Sequence, residues 1–297
     1  MASSVVPGGL NLVLELGGQP AGALRNALPP SYTLTPAAVP GPGAVLQRGS
    51  TGVALGALAA DADLVENGPL LDWAMSLARG APASTDGTLL VLDVNFKVQR
   101  RIGFVDGLIT GLTLPALSAS DGKRTFTAGL TWQPTQVSDK PGKDEVVKRQ
   151  PVRRKALLCN NFQVQGLPFD GRFITDVGLP GWQAHLGSAQ QGRLATRHVE
   201  GVTVGDLSLV VAGRSVDAAL DWVRKVVADG QLDDAEYLDL KVELLDASMK
   251  TVLATLMLEG CGLLASEEVR ISAAADRGRS LRLRWSVRRL SMVFSGA

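Results

Sequence analysis

Within the stretch Glu236 to Asp246, apolar and polar residues alternate strictly from Leu238 to Leu244. The apolar set of this stretch is Leu238, Leu240, Val242 and Leu244, and the polar set is Asp239, Lys241 and Glu243. A period of two is typical of a β-strand that buries one face. A less regular version covers Leu89 to Phe96, and apolar runs at about 101–114 and 251–263 follow these strands after short polar turns. The pattern therefore predicts antiparallel hairpins.

Two other stretches carry apolar residues at spacings of three and four, which is typical of a helix with one buried face. The inward-facing residues are Leu70, Trp73 and Leu77 in one stretch, and Leu220, Val223 and Val227 in the other. The first helix is predicted from Pro69 to Gly80, and the second from Ser215, a good N-cap, to Gly230. Each helix is expected to cover a sheet. The fold class is thus α+β and mainly β, with two antiparallel barrels or sandwiches that each carry one packed helix.

The sequence contains an internal repeat. Leu71-Asp72-Trp73 recurs as Leu220-Asp221-Trp222, and glycines and apolar residues recur in order at the same spacing of 149 positions. The spacing grows by four near the end, where Trp132 aligns with Trp285. A chain of 297 residues is long enough for two cores. We predict a first domain over residues 1–140, a linker over 141–158 and a second domain over 159–297.

A segment rich in Pro, Gly, Ala and Ser runs from about Ala23 to Gly49, and its counterpart runs from Ile174 to Glu200. Each segment is expected to be an extended loop or a flexible hairpin. Long loops inside compact domains are usually functional.

The composition bears on the partners of the protein and on the compartment in which it folds. The net charge is +1, so the total charge gives no argument for nucleic acid or an anionic membrane. No run of about 18 uncharged apolar residues predicts a membrane span, and the N-terminal segment lacks the features of a signal peptide. Cys159 and Cys261 are not equivalent in the repeat and are expected to be reduced core residues. We expect folding and assembly in the cytoplasm.

The sequence offers few candidates for catalytic, cofactor-binding or metal-binding residues. His185 and His198 are the two histidines of the chain, and both fall in one segment of the second half. No nucleophile motif, metal-ligand spacing or phosphate-binding loop appears. Asp72 and Asp221 recur, but a place near a helix N-terminus explains a carboxylate without catalysis. We therefore predict no catalytic, cofactor or metal site, and no enzyme.

Two basic features remain. The linker run at 148–155 is interpreted as a solvated connector, with nucleic-acid binding as the less favoured reading. Near the C-terminus, Arg282, Arg284 and Arg288 alternate with apolar residues. In a monomer this stripe would be solvated and would discourage edge pairing. In an assembly it would line a channel or pair with acidic residues of a neighbour, such as Asp239 and Glu243.

The order of elements resembles the tail tube proteins of contractile phage tails and related injection systems. The resemblance covers about Asn160 to Phe294 and, more weakly, Asn11 to Val137; it is carried by the Leu220-Asp221-Trp222-Val223 helix and the strand that follows it. It implies hexameric rings that stack into a hollow tube, with the long loops reaching the next ring. It also implies that Trp73, Trp222, Leu71 and Leu220 anchor each helix to its sheet.

This chain departs from that family by having two domains, which predicts a ring of three copies with pseudo-six-fold symmetry. The expected partners are further copies of the chain and the sheath, baseplate or spike proteins of the same phage or injection particle, with DNA or a protein cargo in the lumen. An alternative is a hub, initiator or adaptor at the end of the tube. A further alternative is a two-domain β protein that binds a small ligand through an exposed Trp182 in the loop Gly178–Trp182.

Overall fold

The computed structural model describes residues 11–40, 46–64, 69–81, 83–143, 145–147, 157–191, 194–229, 237–269 and 279–295. These residues form mainly antiparallel strands, with one α-helix in each half. The mainly β fold class predicted from the alternating pattern is confirmed. The basic run of the predicted linker, 148–155, lies outside the described residues. The domain boundaries stay a prediction.

The first half contains ten strands and one helix among its described residues. They are β1 (Asn11–Leu16), β2 (Gln19–Leu28), β3 (Tyr32–Pro40), β4 (Leu46–Leu55), β5 (Leu58–Ala62), α1 (Pro69–Ser76), β6 (Ser84–Leu92), β7 (Val98–Thr113), β8 (Leu117–Ser118), β9 (Ala128–Gln133) and β10 (Gln136–Pro141). Six of the strands, in the order β1-β2-β5-β9-β7-β6, close on themselves as an antiparallel barrel. Each of the six strands is therefore paired on both sides within the barrel, and the ends of β2 and β7 extend beyond their neighbours β1 and β6.

The second half repeats this order of elements. Its elements are β11 (Phe162–Gln165), a 3-10 helix (Gly171–Phe173), β12 (Ile174–Gly178), β13 (Trp182–Gln191), β14 (Leu194–Val204), β15 (Leu207–Ala212), α2 (Ser215–Asp229), β16 (Leu238–Leu245), β17 (Val252–Val269), β18 (Ser280–Ser286) and β19 (Arg289–Phe294). The ladder order β12-β15-β18-β17-β16-β11 corresponds to the barrel of the first half. Among the described residues no ladder joins β11 to β12, so this barrel is not closed by backbone pairing.

One turn shows how closely the two halves correspond. The Asp93 carboxylate accepts hydrogen bonds from the backbone N–H groups of Asn95 (2.8 Å) and Lys97 (2.9 Å). The Asp246 carboxylate does the same for Ser248 (3.2 Å) and Lys250 (3.3 Å). Such aspartate turns organise the chain locally because the carboxylate replaces a backbone acceptor. The same turn therefore joins β6 to β7 and β16 to β17.

Equivalent hydrogen bonds in the two halves correct the spacing of the repeat. Asp93 follows β6 as Asp246 follows β16, and these residues lie 153 positions apart. The spacing has therefore already grown by the end of β6, whereas the sequence predicted growth only near the last strand. Gly260 has a φ of 63° and donates its N–H to the Asp239 carboxylate, 3.0 Å away. Asp106 has a φ of 51° and donates to Asp86, 2.8 Å away. Gly260 thus corresponds to Asp106 rather than to Gly111, the residue that the predicted spacing of 149 positions aligns with it. The longer helix α2 and its connection add residues before β16.

The segments expected to be loops or hairpins contain regular strands. The first holds the end of β2 and the hairpin β3–β4, and the second holds β12 and the hairpin β13–β14. The hairpin alternative is confirmed and the extended-loop alternative is wrong. Both hairpins have a register irregularity at equivalent places, after Thr35 and after His185. Their small residues obscure the period-two pattern by which strands are found in a sequence.

Candidate assembly surfaces

The predicted helix anchors lie between helix and sheet to different depths. In the first half Trp73 is 5% exposed, and its ring contacts Phe104 (6.2 Å between centroids) and Trp132 (5.8 Å). In the second half Trp222 is half-buried and stacks on Trp285 at 5.1 Å. Leu71 is buried and Leu220 is half-buried. All four residues contribute to the hydrophobic core that extends through both halves.

The ends of helix α2 differ from the sequence expectation in two respects. The Ser215 hydroxyl donates to the backbone carbonyl of Asp170, 3.1 Å away, which ties the start of the helix to the connection before β12. Val227 was expected on the inward face but is 70% exposed. The helix therefore packs through its first turns, and its last turn extends beyond the sheet that it covers.

The arginine stripe is split by the end of a strand. Arg282 and Arg284 are exposed on one face of β18, while Arg288 lies in the turn after this strand, with its guanidinium 3.8 Å from the ring centroid of Tyr237. Arg284 lies 3.5 Å from the carboxylate of Asp206. The stripe thus consists of two residues, whereas the sequence pattern predicted three in one strand. Whether it lines a channel or contacts a neighbour stays a prediction.

The acidic residues named as partners of the stripe have partners within the chain. Asp239 accepts the hydrogen bond from Gly260 described above, and Glu243 accepts hydrogen bonds from the side chains of Gln163 and Gln165. The side chain of Glu243 is half-buried. The contacts of Glu243 join β11 to β16, and the contact of Asp239 joins β16 to β17.

The candidate chemical groups are dispersed. The imidazole of His185 lies 2.7 Å from the Thr203 hydroxyl, and that of His198 lies 3.8 Å from the Glu200 carboxylate. Both cysteine thiols are buried and free, and burial raises the pKa of Cys261 to about 11. Within the described ranges no three His, Cys, Asp or Glu side chains form a group that could hold a metal ion. No helix in these ranges is long and apolar enough to cross a membrane.

A backbone ladder joins the hairpin of the second half to the barrel of the first. In this ladder Trp182 of β13 lies opposite Leu112 of β7, and Gln183 lies opposite Gly111. Trp182 is 4% exposed. Gly181 permits the close approach, because a Cβ there would lie 2.2 Å from the carbonyl oxygen of Leu112. Trp182 is therefore a contact between the two halves, and the expectation that it is exposed in a ligand-binding loop is wrong.

A second ladder lies beside the first. Leu117 of β8 pairs with Val177 of β12, and Ser118 pairs with Asp176. The Ser118 hydroxyl donates to the Asp176 carboxylate at 2.6 Å, and the Ala119 N–H donates to the carbonyl of Thr175 at 2.8 Å. Leu117 and Val177 are both fully buried. One end of the first barrel is thus attached to β12 and β13 of the second half.

The corresponding residues of the first half, at the end of β2 and the start of β3, are exposed. The ladders of both hairpins show that Tyr32 on β3 corresponds to Trp182 on β13. Within the described part of the chain, β3 pairs with β4 and with no other strand. Tyr32 is 63% exposed and Leu34 is 58% exposed. Next to them, Leu28 ends β2 and is also exposed.

A groove of about 570 Å³ runs along β2 beside these exposed residues. It is lined by Asn26–Leu28, 59–61, 113–115, Thr127 and 129–131. Asn26–Leu28 corresponds to Asp176–Gly178, the part of β12 that pairs with β8. The groove therefore lies where, in the second half, a strand of the other half is docked.

The far end of β17, residues 264–266, corresponds to the part of β7 that pairs with Trp182. Gly111 and Leu112 lie opposite Thr131 and Leu130 of β9, and in the second half Ala265 and Ser266 lie opposite the equivalent Arg284 and Leu283 of β18. Ala265 and Ser266 are exposed, and Leu264 beside them is 50% exposed. On their other edge no described strand pairs with them.

These surfaces were missed in the sequence, apart from Trp182, which was assigned to a ligand-binding loop. A signal was present, because the repeat places the aromatic residues Tyr32 and Trp182 one position from alignment. Which of the two is covered depends on contacts between the halves, and no local pattern reports such contacts.

No protein-family model matches this sequence, and no curated protein matches it. Among solved structures, the chain is similar to the tube-terminating cap of the anti-feeding prophage, with 12% identity over 51% of this chain and 97% of that chain and a TM-score of 0.38. It is similar to the sheath/tube terminator of the extracellular contractile injection system PVC in the extended state, with 15% identity over 50% of this chain and 99% of that chain and a TM-score of 0.36. A chain of the PVC sheath-tube complex gives 12% identity, coverages of 46% and 89% and a TM-score of 0.36.

Proposed function

We propose that this chain is a structural subunit of the tube of a contractile phage tail or injection system, and that three copies form a ring of six barrel-like domains. The supporting observation is the contact between the two halves. Strands β12 and β13 of the second half dock on one end of the first barrel. The equivalent surface of the second half is exposed at 264–266. The equivalent residues of the first half, Leu28 at the end of β2 and Tyr32 at the start of β3, are exposed as well. A contact of this kind can repeat from chain to chain.

Repetition of one head-to-tail contact produces either a closed ring or an open helix, depending on the rotation between neighbours. If the contact between chains resembles the contact within a chain, each chain supplies two of the positions in the ring. The context of a contractile tail comes from the sequence resemblance to tail tube proteins, which assemble as six-membered rings. Three chains then complete such a ring, and sheath, baseplate or spike proteins are the expected neighbours.

A second candidate is a hub, initiator or adaptor at the end of the tube. The divergence of the two halves favours it, since Arg282 and Arg284 correspond to Gly129 and Thr131 in the ladders of the first half. A ring in which alternate domains differ this much has a three-fold rather than a six-fold surface. Such a surface suits a place where a six-fold tube meets a three-fold partner.

Mass measurement and negative-stain microscopy at several protein concentrations test both candidates. A particle of three 31.2 kDa chains with a central channel is expected. Rods of stacked rings would support the tube subunit, and single rings that do not stack would support the end position. A chain that stays monomeric at every concentration would contradict both candidates.

A further inference from the structure

We propose that the ring is closed by β3 of one copy adding to the far end of β17 of the next copy, with Tyr32 opposite Ser266 and Thr33 opposite Ala265. Because this inference rests on the proposed ring, it names the surface by which neighbouring chains recognise each other. The partner is a second copy of this chain.

The register follows from the ladder within the chain. Trp182 and Gln183 of β13 lie opposite Leu112 and Gly111 of β7. On the hairpins, Tyr32 lies opposite Leu55 as Trp182 lies opposite Val204. Tyr32 and Thr33 therefore take the places of Trp182 and Gln183. On the long strands, Ser266 and Ala265 take the places of Leu112 and Gly111, as their pairing with β18 shows.

The residues that this contact would bury are exposed in the single chain, whereas their counterparts in the contact between the halves are covered. Trp182 is covered by the first barrel, whereas Tyr32 is 63% exposed. Leu28, Leu34 and Leu264 are further large apolar side chains that are exposed on the two surfaces to be joined. Clusters of exposed apolar side chains commonly mark protein–protein contacts. An added strand would also satisfy the unpaired edge of β17, because main-chain hydrogen bonds supply the pairing in strand addition.

The groove along β2 belongs to the same surface. In the second half the equivalent strand, β12, is covered by β8, and both Leu117 and Val177 are fully buried there. In the first half Asn26–Leu28 lines the groove of about 570 Å³. The next copy is therefore expected to cover both β2 and β3, as the first half covers both β12 and β13.

One position distinguishes the contact between chains from the contact within a chain. Ser31 takes the place of Gly181, since each accepts a hydrogen bond through its carbonyl from the glycine after the hairpin, at 2.8 Å in Ser31–Gly56 and at 2.9 Å in Gly181–Gly205. A Cβ at 181 would approach Leu112 too closely. The start of β3 must therefore lie slightly farther from β17 than β13 lies from β7.

Engineered disulfides test the register. Residues that face each other in an antiparallel ladder have Cα atoms about 4.5–5.5 Å apart, within the range that a disulfide spans. The test variant carries Thr33→Cys and Ala265→Cys, both at exposed positions. The matched control carries Gln183→Cys and Gly111→Cys, which face each other within one chain. A Cβ at Gly111 meets only ordinary contacts, so the control variant is expected to fold.

On mild oxidation the test variant should give covalent oligomers up to three chains on non-reducing gels, whereas the control should stay a single chain with one internal disulfide. The unmodified protein should give no covalent oligomer, because its two cysteines are buried. Mixing the two single variants, Thr33→Cys and Ala265→Cys, should give only covalent dimers, and Thr33→Cys alone should give none.

The outcomes separate this surface from the proposed function. Rings in the microscope without the expected cross-link would overturn the β3–β17 surface and leave the ring intact. Dimers of Thr33→Cys alone would indicate a two-fold contact and overturn the head-to-tail arrangement. A chain that neither cross-links nor forms rings would overturn the surface and the proposed function together. Thermal unfolding of each variant, compared with the unmodified protein, confirms that the substitutions preserve the fold.

Discussion

The indole rings of Trp222 and Trp285 stack with centroids 5.1 Å apart and an interplanar angle of 19°. The equivalent rings of Trp73 and Trp132 meet edge to face at 5.8 Å and 63°. Both arrangements join a helix to the last strand of its barrel. They differ because Trp73 is enclosed between Trp132 and Phe104, whereas Trp222 is half-buried and contacts Phe169 on its other side.

Replacing these tryptophans should destabilise the two halves unequally. Trp73→Ala is expected to lower the free energy of unfolding by about 3–5 kcal/mol, as for a fully buried aromatic residue. Trp222→Ala should cost less, about 2 kcal/mol, because part of its ring already faces solvent. Chemical denaturation monitored by circular dichroism measures both values.

Val227→Ala provides the matched control in helix α2. Its side chain is 70% exposed, so the free energy of unfolding should change by less than about 0.5 kcal/mol. If Trp73→Ala unfolds like the unmodified protein, Trp73 does not anchor its helix.

The strands and helices were largely predictable because they depend on local periodicity. The alternation from Leu238 to Leu244 matches β16, and the helix predicted to begin at Ser215 begins there. The pairing of Trp182 with Leu112 was not predictable, because these residues lie far apart in sequence and their contact depends on how two completed barrels meet. For the same reason Val227 was misplaced: its spacing suits the inward face, but the helix extends beyond the sheet.

The two native thiols are expected to be unreactive in the folded protein. Burial raises the pKa of both Cys159 and Cys261, in the second case to about 11. The thiolate is the nucleophile, so at pH 8 little of the reactive form is present and the reagent has no access to it. Ellman's reagent should therefore modify neither residue before unfolding and both afterwards. Thr33→Cys, at an exposed position, should react at once; rapid reaction of the unmodified protein would contradict the burial of its cysteines.

The ion pair between Asp170 and Arg172 should control the titration of this carboxyl. Hydrogen bonds from the Arg172 side chain and backbone lower the pKa of Asp170 to about 2. Since this pKa lies below the value of about 3.9 for an unfolded chain, the contribution of the pair to stability is present above pH 4 and is lost as the pH falls through about 2. In Arg172→Ala the pKa should rise toward the ordinary range, as measured by carboxyl carbon NMR. Arg224→Ala, which removes the hydrogen bond to Asp221, should leave the titration of Asp170 unchanged.

The contact between the halves should depend on the missing side chain at Gly181. In Gly181→Ala the new Cβ would lie 2.2 Å from the Leu112 carbonyl oxygen, so β13 must move away from β7. Overpacking of this kind typically costs about 1–3 kcal/mol in the free energy of unfolding. Hydrogen exchange should also become faster at Trp182 and Leu112, which the ladder places opposite each other. Gly201→Ala is the matched control, because a Cβ there meets nothing within 4 Å. Equal exchange rates in the two variants would mean that the halves are held together without this ladder, and the within-chain contact could then no longer serve as the template for the contact between chains.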